Sequence, residues 1–452
     1  MIIKNGMPNK EERLMIPLTR SLCGRFASAL LLMALTATIS FPQTNTENFA
    51  QFRFNFNNPG ARATGMGGAF VSISDDATAS ESNPAGLTAL IRPEISLEGK
   101  GIQFTNKVNN FSATGTAANY TVESHEFKQA VFSPSFVSAV YPLRRMTFSV
   151  YRYELVHFES KYFTKGAFVS PLKDGTTFFP VNSDTKLTAV NWGASMGYKF
   201  SGKFSVGISG GASVGSVTST LTRYLIPVFN PGTVANEATI DGSDTQFFLN
   251  AGIIYHPTDE LAIGAIYKHR PSFSVENVFR IASTPADSIA KKMIKISIPS
   301  SIGLGVSYRP TDVLTLAVDA VYIQYSRLTD DLVPTISEQY LSAADFKVDN
   351  GVEIHGGAEY VFLIRSVALV VRGGAYLEPD NRIRWVGKVD DTTDPNRTFS
   401  RQLSATLFQK GDSYVHGTFG LGLVLSNNFQ FDVAGNVSSV TKELTGSLVV
   451  RF

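Results

Sequence analysis

Glu353, His355 and Glu359 stand at alternate positions of one short segment, Arg372 falls on the like face of the next, and Asp319 on that of the one before. Three carboxylates, an imidazole and a guanidinium on facing positions can pair as ions across neighbouring strands. Alternatively, Arg372 can receive the carboxylate head of an amphipathic ligand. Two readings follow: a structural network in a wet interior, or an anchor for a neighbouring segment or a ligand headgroup. The residue types signal no catalysis. The six histidines are scattered, without His-x-x-x-His or a comparable metal spacing. No local signature brings a nucleophile, a base and an orienting group together. Gly65-Met-Gly-Gly68 lacks the lysine of a phosphate loop and the strand before it, so its glycines read as packing residues. No catalytic residue, metal or cofactor is expected, and the chain reads as something other than an enzyme.

Ions at alternate positions require strands to hold them. Near the C-terminus Val415, Gly417, Phe419, Leu421, Leu423 and Leu425 share one face, and His416, Thr418, Gly420 and Gly422 the other. A period of two argues strand. The second face is too small and polar for a dry core, whereas a membrane barrel turns its apolar face to lipid and its polar face to the lumen. Comparable segments recur near 94–104, 133–141, 146–155, 186–200, 203–219, 244–255, 260–280, 291–308, 313–326, 350–362 and 366–377, and again at 429–437 and 444–452. The expected fold is all-β, a transmembrane antiparallel β-barrel of about fourteen strands, an even number as single-chain bacterial barrels require.

Connection lengths alternate in the manner of such barrels. Tight turns at 142–145, 201–202, 257–259, 310–312, 363–365 and 427 separate long stretches at 105–132, 156–185, 220–243, 281–290, 327–349 and 378–411. Short turns face the periplasm and long loops the exterior, which puts both termini in the periplasm. Tyr141, Tyr198, Tyr255, Tyr308 and Tyr360 each precede a tight turn on the apolar face, as an interfacial aromatic girdle requires. The second long stretch is rich in aromatics, Phe158, Tyr162, Phe163, Phe168, Phe178 and Phe179, which suit an external loop that collects hydrophobic ligands.

Arg20 and Arg25, the apolar run 26–39 and Ser40 describe a secretory signal over residues 1–40. Cys23, the only cysteine, lies within it. Five of the 40 basic and two of the 38 acidic residues also lie there, so 35 against 36 remain. A near-neutral chain without clustered basic charge argues against nucleic acid as a partner.

Residues 41–92 precede the first strand of the barrel, 93–452, and form a compact segment rich in glycine and alanine. In it, Asp75-Asp76 can cap a short helix and Asn83-Pro84 end it. A lumen of about fourteen strands leaks unless filled, and this segment is the natural plug. The Gly65-Met-Gly-Gly-Ala69 run, Asp75-Asp-Ala77 and Asn83-Pro-Ala-Gly-Leu87 resemble the N-terminal signature of the FadL/TodX family of outer-membrane transporters for long-chain fatty acids and hydrocarbons. So do Ile298-Pro-Ser-Ser-Ile-Gly-Leu-Gly-Val-Ser-Tyr308, His355-Gly-Gly-Ala-Glu-Tyr360 and Val371-Arg-Gly-Gly-Ala-Tyr376. The resemblance implies a lumenal hatch whose gating turn is Asn83, Pro84, Ala85 and Gly86. It also implies passive uptake of a hydrophobic or amphipathic small molecule through a barrel surrounded by outer-membrane lipid. Glu81-Ser82 departs from the pattern, since family members often carry an aromatic residue before the turn. The alternative is a PorV-like barrel that binds a protein partner in a secretion system. A general diffusion porin fits less well, because a hatch would obstruct a water-filled path.

Overall fold

The computed structural model describes residues 56–452 apart from 114–119, 165–166, 169–176, 179, 225–232, 282–287, 330–341, 366, 389–400, 402–403, 406–407 and 427. The expected signal segment, and Phe179 of the aromatic set, lie outside the described residues. Fourteen strands follow one another round the wall. They are β1 (Glu94–Ala113), β2 (Tyr120–Leu143), β3 (Met146–Thr164), β4 (Val181–Lys199), β5 (Phe204–Tyr224) and β6 (Val234–Tyr255). Next come β7, in two pieces β7a (Leu261–His269) and β7b (Ser272–Ile281), and β8, in two pieces β8a (Ser288–Ser297) and β8b (Ser301–Thr311). The circuit continues through β9 (Leu314–Ile323), β10 (Gly351–Ile364), β11 (Val367–Glu378), β12 (Tyr414–Leu425), β13 (Phe429–Val437) and β14 (Thr441–Arg451). Each strand pairs antiparallel with its neighbours in sequence, and β1 with β14 closes the ring, Glu94 opposite Arg451. Closure leaves the sheet without a free terminal strand, which is what lets it stand in lipid, and its unpaired stretches are local.

Alternation explains which way each residue faces. Outward Leu304 and Val318 are 60% and 59% exposed, while Asp319, one residue further on, is 1% exposed. Tyr141, Tyr255, Tyr308 and Tyr360 are exposed on the outer face at the turn ends; the Tyr198 ring rests against Phe200 at 4.7 Å. Three tight turns place a residue other than glycine at positive φ, Arg144, Arg365 and Ser426 at 57°, 55° and 54°. Such turns match the twist of the strands they join.

Two expectations are corrected. The long stretches 105–132, 156–185 and 220–243 are largely strand: β1 and β2 pair out to Ala113 and Tyr120, and β3 and β4 out to Thr164 and Val181. Beyond the lipid band an outward residue need not be apolar, so the period of two fades while the backbone ladder continues. Phe158, Tyr162 and Phe163 accordingly lie on β3 and not in a loop. Phe168 and Phe178 fall in a two-residue strand pair. The spans 260–280 and 291–308, expected to be continuous, are each broken, at Pro271 and at Pro299. Proline cannot donate to a ladder.

Candidate functional site: the segment inside the ring

Residues 56–92 meet the inward faces of the strands. The first half carries α1 (Ala61–Gly65), the second α2 (Ala79–Ser82) and a 3-10 helix (Pro84–Ala89). Such short helices are not stable alone; contact with the wall holds them. Ala63, Met66, Ala69, Phe70 and Ile73 bury against Ala317 of β9.

The first half is tied by charge. Arg62 donates to Glu359 of β10 at 2.9 and 3.1 Å and also to Asp75. Arg372 of β11 donates to Glu359 at 2.7 Å and to Asp432 of β13 at 2.6 Å, and its side chain packs on Gly65. The Asp319 carboxylate accepts the backbone N–H groups of Phe70 and Val71 at 2.6 and 2.8 Å. His355 Nδ1 lies 2.8 Å from the Gly67 carbonyl and its Nε2 3.2 Å from Glu353, which in turn accepts from the Tyr325 hydroxyl at 3.2 Å. Both ring nitrogens of His355 thus face acceptors. All five residues of the cluster are buried; three touch the inner segment directly, Arg372 touches it by packing and through Glu359, and Glu353 supports His355. Asp75 and Asp76 diverge. Burial pushes the Asp75 carboxyl up, but Arg62 and Arg309 outweigh it and hold it below the usual range; for Asp76 burial prevails and the carboxyl is raised.

The second half is seated by close packing. A Cβ on Gly207 of β5 would overlap the Pro84 carbonyl carbon, one on Gly252 of β6 the Asn83 side chain, and one on Gly86 the Ser74 carbonyl. Only glycine lets the segment approach the wall, and at Gly86 its own first half, this closely. Asn83 Nδ2 lies 2.8 Å from the Val71 carbonyl and 3.3 and 3.4 Å from the carbonyls of Ile253 and Ala265, on two adjacent strands. Its Oδ1 accepts the Ala85 N–H at 3.2 Å, capping the 3-10 helix. Ser80 Oγ meets Ser149 Oγ at 2.6 Å, its carbonyl accepts from Ser195 at 2.8 Å, and Thr88 meets Ser205 at 2.8 Å.

One charge in this half went unread in the sequence. Glu81 is fully buried, 2.6 Å from Arg270 Nη2, 3.8 Å from Lys268 Nζ, and accepts from the Tyr151 hydroxyl at 2.8 Å and Asn250 Nδ2 at 3.1 Å. Burial pushes its carboxyl up, and Arg270 and Lys268 more than reverse this, leaving it below the usual range. The available signal was the departure at Glu81 itself, in a position where an acid must find a cation.

Beyond this segment one part of the lumen is apolar. Phe136, Tyr151, Tyr153, Phe158, Phe248 and Phe273 belong to one buried cluster, with Ile, Leu and Val side chains from β4 to β9. Phe158 and Tyr162 face inward and are buried, and Phe163 is 53% exposed. The wall beside this cluster is open between β2 and β3. Their pairing runs from Leu143↔Met146 to Phe136↔Tyr153 and stops there, with Ser135 and Leu155 bulged out of register and Pro134 lacking an N–H. Polar groups edge the opening: Arg152 donates to the Pro134 carbonyl, and Ser133 Oγ to Glu154 at 2.5 Å. Among the described residues no group of histidine, cysteine, aspartate and glutamate is placed to hold a metal.

A closed ring of fourteen strands around an inner N-terminal segment can be compared with known proteins. Residues 48–378 match the family described as outer membrane protein transport protein (OMPP1/FadL/TodX). The chain belongs to that family. Its fold is shared with the Pseudomonas putida toluene transporter TodX at 15% identity and a TM-score of 0.60, over 88% of this chain and 99% of that one. It is shared also with a Pseudomonas aeruginosa FadL homologue (14%, 0.57, 89% and 99%) and the Ralstonia pickettii toluene transporter TbuX (17%, 0.53, 88% and 99%). No curated protein sequence matches it significantly. This FadL/TodX barrel is a protein of the bacterial outer membrane, in a family of transport channels for hydrophobic molecules rather than of enzymes.

Proposed function

We propose that the barrel carries long-chain fatty acids or hydrocarbons passively across the outer membrane, and that residues 56–92 are the hatch that gates it. The observation that carries this reading is the apolar lumenal cluster around Phe136, Tyr151 and Phe248, which ends on the second half of that segment. A ligand enters from the loop end, which faces the exterior; the tight turns and both termini face the periplasm, and residues 1–40 are removed on export. It settles among the lumenal aromatics, where burial of each methylene contributes about 0.8 kcal/mol. Asn83, Pro84, Ala85 and Gly86 then shift to let it pass inward, or it leaves sideways between β2 and β3, where Arg152 and Glu154 suit a polar head. Asp319, His355, Glu359 and Arg372 hold the first half of the hatch while the second moves. Arg372 faces Glu359 and Asp432, which favours anchoring over a role in binding a ligand carboxylate.

Uptake of labelled oleate by a host lacking its own fatty acid channel tests this. The protein is expected to support uptake, and a version with 83–85 replaced by glycine and serine to alter it. A folded, inserted barrel that takes up neither oleate nor toluene, and that co-purifies with a secreted protein, would replace transport by the protein-binding reading.

A further inference from the structure

The wall is interrupted a second time, where β6 meets β7. Pairing runs from Tyr255↔Ile263 to Leu249↔His269, stops, and resumes at Ile240↔Asn277 with the register shifted by one residue. Residues 270–276 therefore face 241–248 with no ladder between them. Pro271 opens the break, having no N–H to give. Backbone groups at its lower end are satisfied on the β8 side, and one bond crosses the break. The Arg270 N–H donates to Ser300 Oγ at 3.1 Å and its carbonyl accepts from Arg327 at 3.3 Å. The Pro271 carbonyl accepts the Ile298 N–H at 3.0 Å, and the Ser274 N–H reaches the Asp244 carboxylate at 2.8 Å. A break supplied in this way is built into the wall.

The break lies between lumenal and outward-facing apolar side chains. Phe248, Phe273 and Val275 at its edges belong to the apolar lumenal cluster, and the Phe273 ring lies over Gly215 of β5. Phe247, beside it, is 62% exposed. Phe247 stands eight residues from Tyr255 along β6. At the tilt of such strands that is a rise of roughly 20 Å, so the lower end of the break lies within the apolar band, about 25 Å tall.

Arg270, the first unpaired residue, is turned inward to Glu81 of α2, and Asn83, two residues on, bridges carbonyls of β6 and β7a on the same seam. The second half of the inner segment thus clamps the seam at two levels. We infer that this break is a second lateral passage, for small uncharged hydrocarbons, kept shut while Glu81 holds Arg270 at its edge. The inference rests on the transport reading and adds to it a route and a ligand class. A carboxylate leaving here would enter hydrocarbon unpaired, at a cost an uncharged molecule does not meet, and the cation at the edge is already engaged. The opening between β2 and β3, edged by Arg152, Ser133 and Glu154, suits a polar head instead.

The chain has no cysteine besides Cys23, so a disulfide can be placed where a side chain already spans the break. In an Asp244→Cys, Ser274→Cys protein, oxidation is expected to abolish most toluene uptake, spare oleate uptake, and be reversed by reductant. Complete cross-linking with unchanged toluene uptake would overturn the inference. A second measurement needs no transport. Phe273→Cys is labelled with a maleimide dissolved in the bilayer, with and without Glu81→Gln. Faster labelling in Glu81→Gln is expected, and equal rates would refute the passage. If the reduced protein takes up neither ligand, the transport reading fails, and the labelling result still decides whether the break opens.

Discussion

The two halves of the inner segment are held by different physics. From Ala61 to Asp76 the segment also packs closely on wall glycines, Gly264, Gly357 and Gly374, but charged side chains add ties from several strands: Arg62 to Glu359, the Phe70 and Val71 N–H groups to Asp319, the Gly67 carbonyl to His355. From Ala77 to Leu90 the contacts are hydroxyl pairs and glycine-lined close packing, with a single buried carboxylate at Glu81. Breaking a buried ion pair from one side strands a charge at several kcal/mol, whereas an ordinary hydrogen bond is worth about 1 kcal/mol. The first half is therefore an anchor. On the proposed reading the second is the half that moves, and the buried Glu81–Arg270 pair is the tie that must break first.

The largest effect should come from attacking the anchor. Glu359→Ala leaves Arg62 and Arg372 buried and facing each other, and is expected to lower the stability of the refolded barrel by about 3–5 kcal/mol. Urea titration of the two proteins in detergent measures it; a loss near that of an average surface change would show that the ionic half is not the anchor. Next is Gly207→Ala, whose methyl overlaps Pro84. It should cost about 1–3 kcal/mol and unseat the second half alone, so that uptake rises while the anchor keeps its amide protection from exchange. A smaller change is Ser80→Ala, which removes the bond to Ser149 and should cost about 1 kcal/mol, with uptake slightly raised; a cost as large as that of Glu359→Ala would erase the contrast between the halves. The smallest is with pH. The folded Glu81 carboxyl lies below its unfolded value, so its contribution is present above the ordinary carboxylate range and lost only as pH falls through the lower, folded value. Amide protection at Ser82 and Asn83 should be flat from neutrality to about pH 5 and fall only in stronger acid.

Much of this contrast can be traced back to the sequence, and the rest has physical reasons for being hidden. Glu353, His355, Glu359 and Arg372 were legible because a period of two fixes the face of every residue in a strand. The Asn83-Pro84 turn was legible from its chemistry and its resemblance to a family signature. The outer parts of β1 to β6 were not, since beyond lipid the outward face loses its apolar bias. Gly207 and Gly252 carried no signal, because a glycine does not say what approaches it. The two wall breaks did leave a mark, in Pro134 and Pro271, as did the interruption of β8 in Pro299, within stretches otherwise patterned as strand or, for Pro134, near the start of one. Each marks a position where a ladder cannot continue. Glu81 pairs with residues 187 and 189 positions away, Lys268 and Arg270, a partnership that only the closed ring creates.

The central claim is that the second half of the inner segment moves while the first stays. Ser80→Cys with Ser149→Cys joins α2 to β3 at the point where the two hydroxyls already meet at 2.6 Å. Oleate and toluene uptake would be measured in the oxidised and the reduced protein. Uptake lost on oxidation and regained on reduction is the predicted result; equal uptake in the two states would show that ligands pass with the segment fixed in place.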